Sequence, residues 1–498
     1  MPLAHPHNHI FSHMQFSVVI FTILVFTILV LTTSRLSYPT SIGTQEELGK
    51  GPISKDQNLK VQLYSRGLMK PTGMAFLGPD DILVIEKNSG IVKRILNGTV
   101  LKDPLLDANV ANKWERGMLG IAVSKESEFD GNLRNVVTSV FLFFTESSGK
   151  KDGTDDCVRP NSCISGQPTG NRLYKYQLVG NTLINPHLLL DVTVGPGADH
   201  IGGAIAIDPN DNNIYILSGD GDSCHEGTCY DDLENSMLRA KSSNFQDGHE
   251  PSGRGGILRI PISGGEPVDS EGILGDEYPL NLYYAYGIRN SFGMDFDPVT
   301  GNLWDTENGP SFGDEINLVE PGFNSGWAKI QGVWPVHDYT PAQEVFGYLL
   351  SSDKDSRNFS HEQELSSLRD IIDNLENFSQ KGRYSPPEFS WNRTVSPTAL
   401  TFLDSDKLGE SYKDDLLLGD FNNGNLYHFE LSEDRTELEL SGQLSDKIAN
   451  NMRELDSVIL GQGFNRITDI EVGPDGFLYV LSFEDGSVYR IIPKHYEG

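Results

Sequence analysis

The sequence predicts an all-β protein, a six-bladed β-propeller with a short helical insertion, preceded by an N-terminal hydrophobic helix. Three observations predict it. Beyond residue 60, an apolar β run, a turn rich in Asp, Pro and Gly, and a second β run recur six times. Glycine is abundant, 51 of 498 residues, and there are 26 prolines, which suits a turn-rich chain. No single copy can bury both of its faces, so several must pack side by side.

The first segment stands apart from that pattern. No Asp, Glu, Lys or Arg occurs before Arg35, and residues 1–15 are marked only by His5, His7, His9 and His13. Residues 16–33, FSVVIFTILVFTILVLTT, are uninterruptedly apolar or hydroxylated. As a helix this run reaches about 27 Å, enough to cross a bilayer. It reads as an uncleaved anchor, or alternatively as a signal peptide, although no Lys/Arg-rich start or Ala-x-Ala site accompanies it. Residues 34–59 read as a polar tether and 60–493 as the propeller. The chain is therefore expected to be extracytoplasmic, anchored through this one segment or secreted.

Charge narrows the partners. Lys+Arg number 39 against 70 Asp+Glu, a formal net charge of −31. Nucleic acid is not an expected partner, because phosphate binding needs clustered cations. Four cysteines suit an exported chain: Cys157 and Cys163 share one polar loop, Cys224 and Cys229 another. Two local disulfides, Cys157–Cys163 and Cys224–Cys229, are the simplest pairing, though three connectivities exist and a four-thiolate zinc site is the alternative. Four Asn-x-Ser/Thr sequons, at Asn97, Asn358, Asn377 and Asn392, are compatible with export.

The six copies fall at 71–95, 117–146, 202–220, 292–309, 399–431 and 467–491. Between about 340 and 395 the pattern breaks. There a capping box at Ser360–Gln363, followed by Leu365, Leu368, Ile372 and Leu375, predicts a peripheral amphipathic helix near 360–378.

The chemistry-bearing residues cluster just before β runs. Asp199 and His200 lie in GPGADHIGG, Arg289 and Asn290 in AYGIRNSFG, and Glu115 and Arg116 in WERGMLG, and residues 304–327 add an acidic, Gly-rich loop, WDTENGPSFGDEINLVEPGFNSGW. Loops at one blade position converge on one end of a propeller's channel, so these residues are expected to share a polar pocket. A loop histidine beside a carboxylate is suited to general-base work near neutral pH. No phosphate-cradling glycine loop precedes a helix, and no G-x-S-x-G or H-E-x-x-H occurs.

In the order of these motifs, residues 60–493 resemble the soluble-type, pyrroloquinoline-quinone-dependent glucose/sorbosone (aldose sugar) dehydrogenases, which are six-bladed propellers. The resemblance implies His200 as catalytic base oriented by Asp199, and Arg289 and Asn290 on the quinone and the reacting oxygens. It implies backbone carbonyls of Gly309 and Pro310 on a calcium ion, Arg466 on the cofactor, and Trp391 near the substrate. It also implies cofactor contacts at Asn422, where that pattern has a lysine, and at Glu115, where it has a glutamine; Thr468 stands where it has a second arginine. The implied activity is oxidation of an aldose or related polyol to its lactone or acid, with a quinone or redox protein as electron acceptor. Two other classes stay open: a non-catalytic binding propeller and a metal-dependent lactonase-type hydrolase.

Overall fold

The structure, a computed structural model, describes residues 51–130, 133–148, 167–195, 197–211, 213–221, 239–264, 272–333 and 369–496. The apolar run 16–33 and all four cysteines lie outside the described residues.

The described strands form six sheets, and each of the six strand–turn–strand copies opens one of them. The opening strands are Pro71–Gly78, Met118–Asp130, Gly202–Ile207, Met294–Phe296, Pro397–Phe402 and Ile467–Val472. Each lies against the next, and the last lies against the first, so the ring closes. Together they line a central cavity of about 330 Å³. This is an all-β propeller.

Antiparallel hairpins build each sheet outward from its inner strand. In the third, Gly202–Ile207 pairs with Asn213–Ser218, and that strand with Gly256–Pro261. The apolar side chains of neighbouring sheets interlock. One core joins the first and second sheets through Leu83, Ile85, Ile121 and Leu142. Another joins the fourth and fifth through Trp304, Phe389, Trp391 and Tyr427. Because every sheet is buried on both faces by its neighbours, the middle strands read as continuous apolar runs; all five residues of Leu416–Asp420 and of Leu478–Ser482 are buried.

Three features depart from the sequence reading. The fold begins before residue 60, for Ile53–Ser54 pairs with Ile459–Gln462 on the fifth sheet. Leu59–Arg66 then forms the outer strand of the sixth sheet against Ser487–Pro493, so the first long strand completes a sheet made by the last. The stretch 340–395 is not wholly an insertion: Arg383–Tyr384 adds a parallel strand to the third sheet and Phe389–Trp391 an antiparallel one to the fourth. Of the helix expected at 360–378, the described part is helical over residues 369–373. It leads into a turn packed on the third sheet's outer side, where the Phe378 ring meets Tyr286 edge-on at 4.9 Å.

Candidate active site

The site is built from turns that enter the inner strands, together with the returning ends of their hairpin partners. His200 takes a left-handed backbone, φ 54°, just before Gly202–Ile207. Such a conformation is costly for a non-glycine residue and persists only where its surroundings enforce it. Here they do. The His200 N–H donates to Glu115 Oε2 at 2.7 Å, and the His200 carbonyl accepts from Gly221 N–H at 3.0 Å. Gly219 is obligatory beside it, since a Cβ there would sit 2.3 Å from the His200 carbonyl oxygen.

The carboxylate that holds the imidazole is Asp220. Its Oδ1 lies 2.8 Å from His200 Nδ1, and its Oδ2 accepts the Trp327 indole N–H at 2.7 Å. Burial alone would raise Asp220. The His200 charge and hydrogen bond, with Arg289 and the Trp327 indole, outweigh it and hold the acid below its usual range. Asp199, the sequence neighbour expected to orient the ring, instead lends its charge to Arg116. Successive residues point to different sides, whereas hairpin register brings position 220 back to position 200: Gly202 pairs with Ser218.

Arg289 and Asn290 come to the same end of the ring, ahead of Met294–Phe296. Asn290 is consumed in architecture, with Oδ1 accepting from Gly202 N–H at 3.1 Å and Nδ2 donating to Glu115 Oε2 at 3.1 Å. Glu115 is thus a clamp that joins the second, third and fourth sheets, and its Oε2 is not free for a cofactor. The Arg289 guanidinium donates through Nη1 to the carbonyls of Asn308 (2.7 Å) and Gly309 (3.0 Å) and lies 5.4 Å from the Trp327 ring. Its buried Nε has no hydrogen-bond partner among the described residues, and neither has that of Arg116.

The remaining expected residues divide. Arg466, φ 74°, reaches the same end, but pairs with Glu484 at 3.3 Å and lies over Phe421. Asn422 donates to Ser396 Oγ at 2.9 Å, and Thr468 Oγ1 donates to the Pro71 carbonyl at 2.9 Å. Trp391 is not at the pocket. It is 1 % exposed in the core between the fourth and fifth sheets, its ring 4.8 Å from Phe389 and 6.0 Å from Tyr427. An aromatic in a strand flanked by apolar partners is drawn into the core.

Sequence reasoning missed Asp220, Trp327, Lys87 and Arg254. Lys87 Nζ donates to the carbonyls of Trp114 (2.6 Å) and Arg116 (2.7 Å), and burial pulls it down to about 8 against the opposing pull of Glu115. Behind Arg289 lie two more buried acids. Glu307 Oε1 accepts the Arg289 N–H at 2.8 Å, and Ser325 Oγ bridges Glu307 and Glu315. Burial raises both acids, and for Glu307 the charge of Glu315 adds to it. Of the four missed residues, Asp220 alone carried a sequence signal, at the end of the hairpin copy that His200 precedes.

The spare, buried donor on Arg289 fits an anionic oxygen of a bound cofactor. The calcium expectation fits less well. Arg289 already donates to the Gly309 carbonyl, so a cation bound there would sit beside a guanidinium of like charge. Among the described residues no group of three His, Cys, Asp or Glu side chains is arranged to hold a metal.

Fold and site together define a β-propeller that carries a buried His–Asp pair and an arginine at one end of its channel. The chain belongs to the Glucose / Sorbosone dehydrogenase family, whose profile matches residues 68–344 and 369–490. It is 25% identical over 431 residues to an uncharacterised protein of Synechocystis, covering 85% of this chain and 84% of that one. It is 27% identical over 295 residues to quinoprotein glucose dehydrogenase B of Acinetobacter calcoaceticus, and that match spans 56% of this chain and 54% of the relative. Among solved structures, the apo soluble aldose sugar dehydrogenase of Escherichia coli superposes with a TM-score of 0.57 at 19% identity, covering 88% of this chain and all of that one. The PQQ-bound aldose sugar dehydrogenase of Streptomyces coelicolor gives 0.53 at 18%, covering 89% and 99%. These two likenesses establish the fold.

Proposed function

We propose that this protein is a quinoprotein dehydrogenase whose six sheets act as six blades, and that it oxidises an aldose or related polyol to the lactone or acid. The observation that carries the reading is the buried His200–Asp220 pair beside Arg289, in a chain of this family. With Nδ1 committed to Asp220, the imidazole keeps Nε2 as its acceptor, suited to take the proton of a sugar hydroxyl. Arg289 presents a fixed positive charge and an unused donor where negative charge develops on an oxygen. Pyrroloquinoline quinone, when bound, supplies the two-electron oxidant that no side chain provides.

The test is reconstitution of the purified protein with pyrroloquinoline quinone, with and without calcium, followed by dye reduction with an aldose and polyol panel. Quinone-dependent, sugar-dependent reduction that His200→Asn abolishes is the expected result. A folded protein that reduces no dye refutes the reading. A non-catalytic binding propeller is the second reading, favoured by the pairing of Arg466 with Glu484 and by Asn422 and Thr468 in place of cations. Hydrolysis of lactones without quinone would point instead to a hydrolase.

We also propose that the chain is exported and held to the membrane by residues 16–33, passing electrons to a quinone or redox protein. Asn97 supports this reading, because its sequon lies at an exposed hairpin turn where a glycan has room. Cell fractionation with protease protection and glycosidase treatment tests it; a cytosolic, unglycosylated chain in a eukaryotic host refutes it.

A further inference from the structure

We infer that Trp327 is a positioning residue for His200: its indole N–H occupies the second oxygen of Asp220, so that Asp220 meets the imidazole only as an ionised acceptor. The inference rests on the reading of His200 as a base.

An indole nitrogen can donate a hydrogen bond but can neither accept one nor titrate. At 2.7 Å from Asp220 Oδ2, it requires that oxygen to be an acceptor. The other oxygen, 2.8 Å from His200 Nδ1, is then most stable facing a ring N–H, which leaves Nε2 unprotonated. The indole supplies a donor to an oxygen that bulk water scarcely reaches, since Asp220 is 6 % exposed.

Trp327 is itself held rigidly. Its backbone N–H donates to the Gly287 carbonyl at 2.9 Å, its carbonyl accepts from Asn244 Nδ2 at 2.8 Å, and the backbone N–H of Ala328 reaches the Ser243 carbonyl at 3.0 Å. These anchors belong to the turns that flank the third sheet, one of which leads directly to Arg289. The same ring lies 5.4 Å from the Arg289 guanidinium. One side chain therefore fixes the separation between the base pair and the arginine. Other charges around the pair among the described residues include Arg254, which donates to the Asp220 carbonyl at 3.5 Å, and Glu115, which holds the His200 backbone.

Removing a donor from an anion makes the anion bind protons and cations more tightly. In Trp327→Phe, which keeps an aromatic face for Arg289, the His200–Asp220 pair should therefore take up its proton at higher pH. The measurement is a pH titration of the full-length protein, labelled at the histidine ring nitrogens, with His200 identified by its loss in His200→Asn. The midpoint is expected to rise by about one unit, and the acid limb of turnover in the reconstituted enzyme to move the same way. Uniform replacement of tryptophan by 4-fluorotryptophan keeps the shape but makes the N–H more acidic, so it should move the midpoint down; it also serves if Trp327→Phe fails to fold. Midpoints unchanged in both proteins, with only thermal stability reduced, would overturn the inference and leave Trp327 as packing. Absence of quinone-dependent turnover in the wild type would refute the proposed function, while the ring titration would still decide this point.

Discussion

At the scale of the residue, the base assignment makes sharp demands. His200→Asn is a favourable probe because asparagine tolerates the left-handed backbone required at φ 54°. It can still donate toward Asp220, yet it has lost the ring nitrogen that accepts a proton. Turnover should fall by about 10²–10⁴-fold with the thermal midpoint nearly unchanged. Asp220→Asn should cost turnover on a similar scale, because an amide favours the wrong tautomer, whereas Asp199→Asn should be mild. Steady-state kinetics at saturating cofactor, paired with thermal melts, checks all three. The contrast between the two aspartates also marks where the sequence was legible. His200, Arg289 and Asn290 announce themselves by their places before β runs. Asp220 needed the register of a hairpin, and Trp327 needed the return of a loop more than a hundred residues away. The burial of Trp391 was not legible, because a motif position says nothing about which face of a strand turns inward.

At the scale of the element, the inner strands were readable because each opens with a short-period apolar run and closes in a polar turn. The outer strands were not. Ile53–Ser54, Phe323–Asn324 and Arg383–Tyr384 are two-residue pairings between distant segments, and no local pattern predicts a partner so far away. The inner strands also approach one another more closely than side chains normally permit. A Cβ on Gly120 would lie 2.0 Å from the Gly203 carbonyl oxygen of the neighbouring strand. Backbone cannot step aside as a flexible side chain can, so Gly120→Ala should force the second and third sheets apart and destabilise the protein by about 1–3 kcal/mol. Denaturant unfolding of the purified variant measures it. Truncation discriminates similarly between segments: a chain starting at residue 51 should melt as the full protein does. One starting at residue 67 lacks the strand that covers Ser487–Pro493 and should aggregate by light scattering.

For the whole molecule, buried acids dominate the electrostatics. Burial raises Asp305 to about 7 and Asp295 to about 6, and it also raises Asp469 and Glu471 along the channel and Glu307 and Glu315 behind Arg289. Each such group holds a proton in the folded state that the unfolded chain would release. Their contribution to stability is thus complete below about pH 4 and is lost as pH rises through roughly 6 to 8. Self-repulsion at a net charge of −31 acts in the same direction. The thermal midpoint should accordingly be higher near pH 5 than near pH 8, by at least about 5 °C, in calorimetric scans. A midpoint that rises over that interval would mean the buried acids are ionised in the folded protein.

The ring is fastened where Leu59–Arg66 lies along Ser487–Pro493, and the clasp ends with Lys494 N–H donating to the Asn58 carbonyl. During synthesis the leading strand has no partner until the final segment leaves the ribosome, a wait of tens of seconds at ordinary elongation rates. Throughout that interval a sheet edge and the channel wall stand open, inviting intermolecular pairing. A circularly permuted chain, with residue 496 joined to residue 51, residues 1–50 removed and new termini cut between two sheets, would place these strands on either side of one short connection. It should then mature with less dependence on chaperones than the natural order allows.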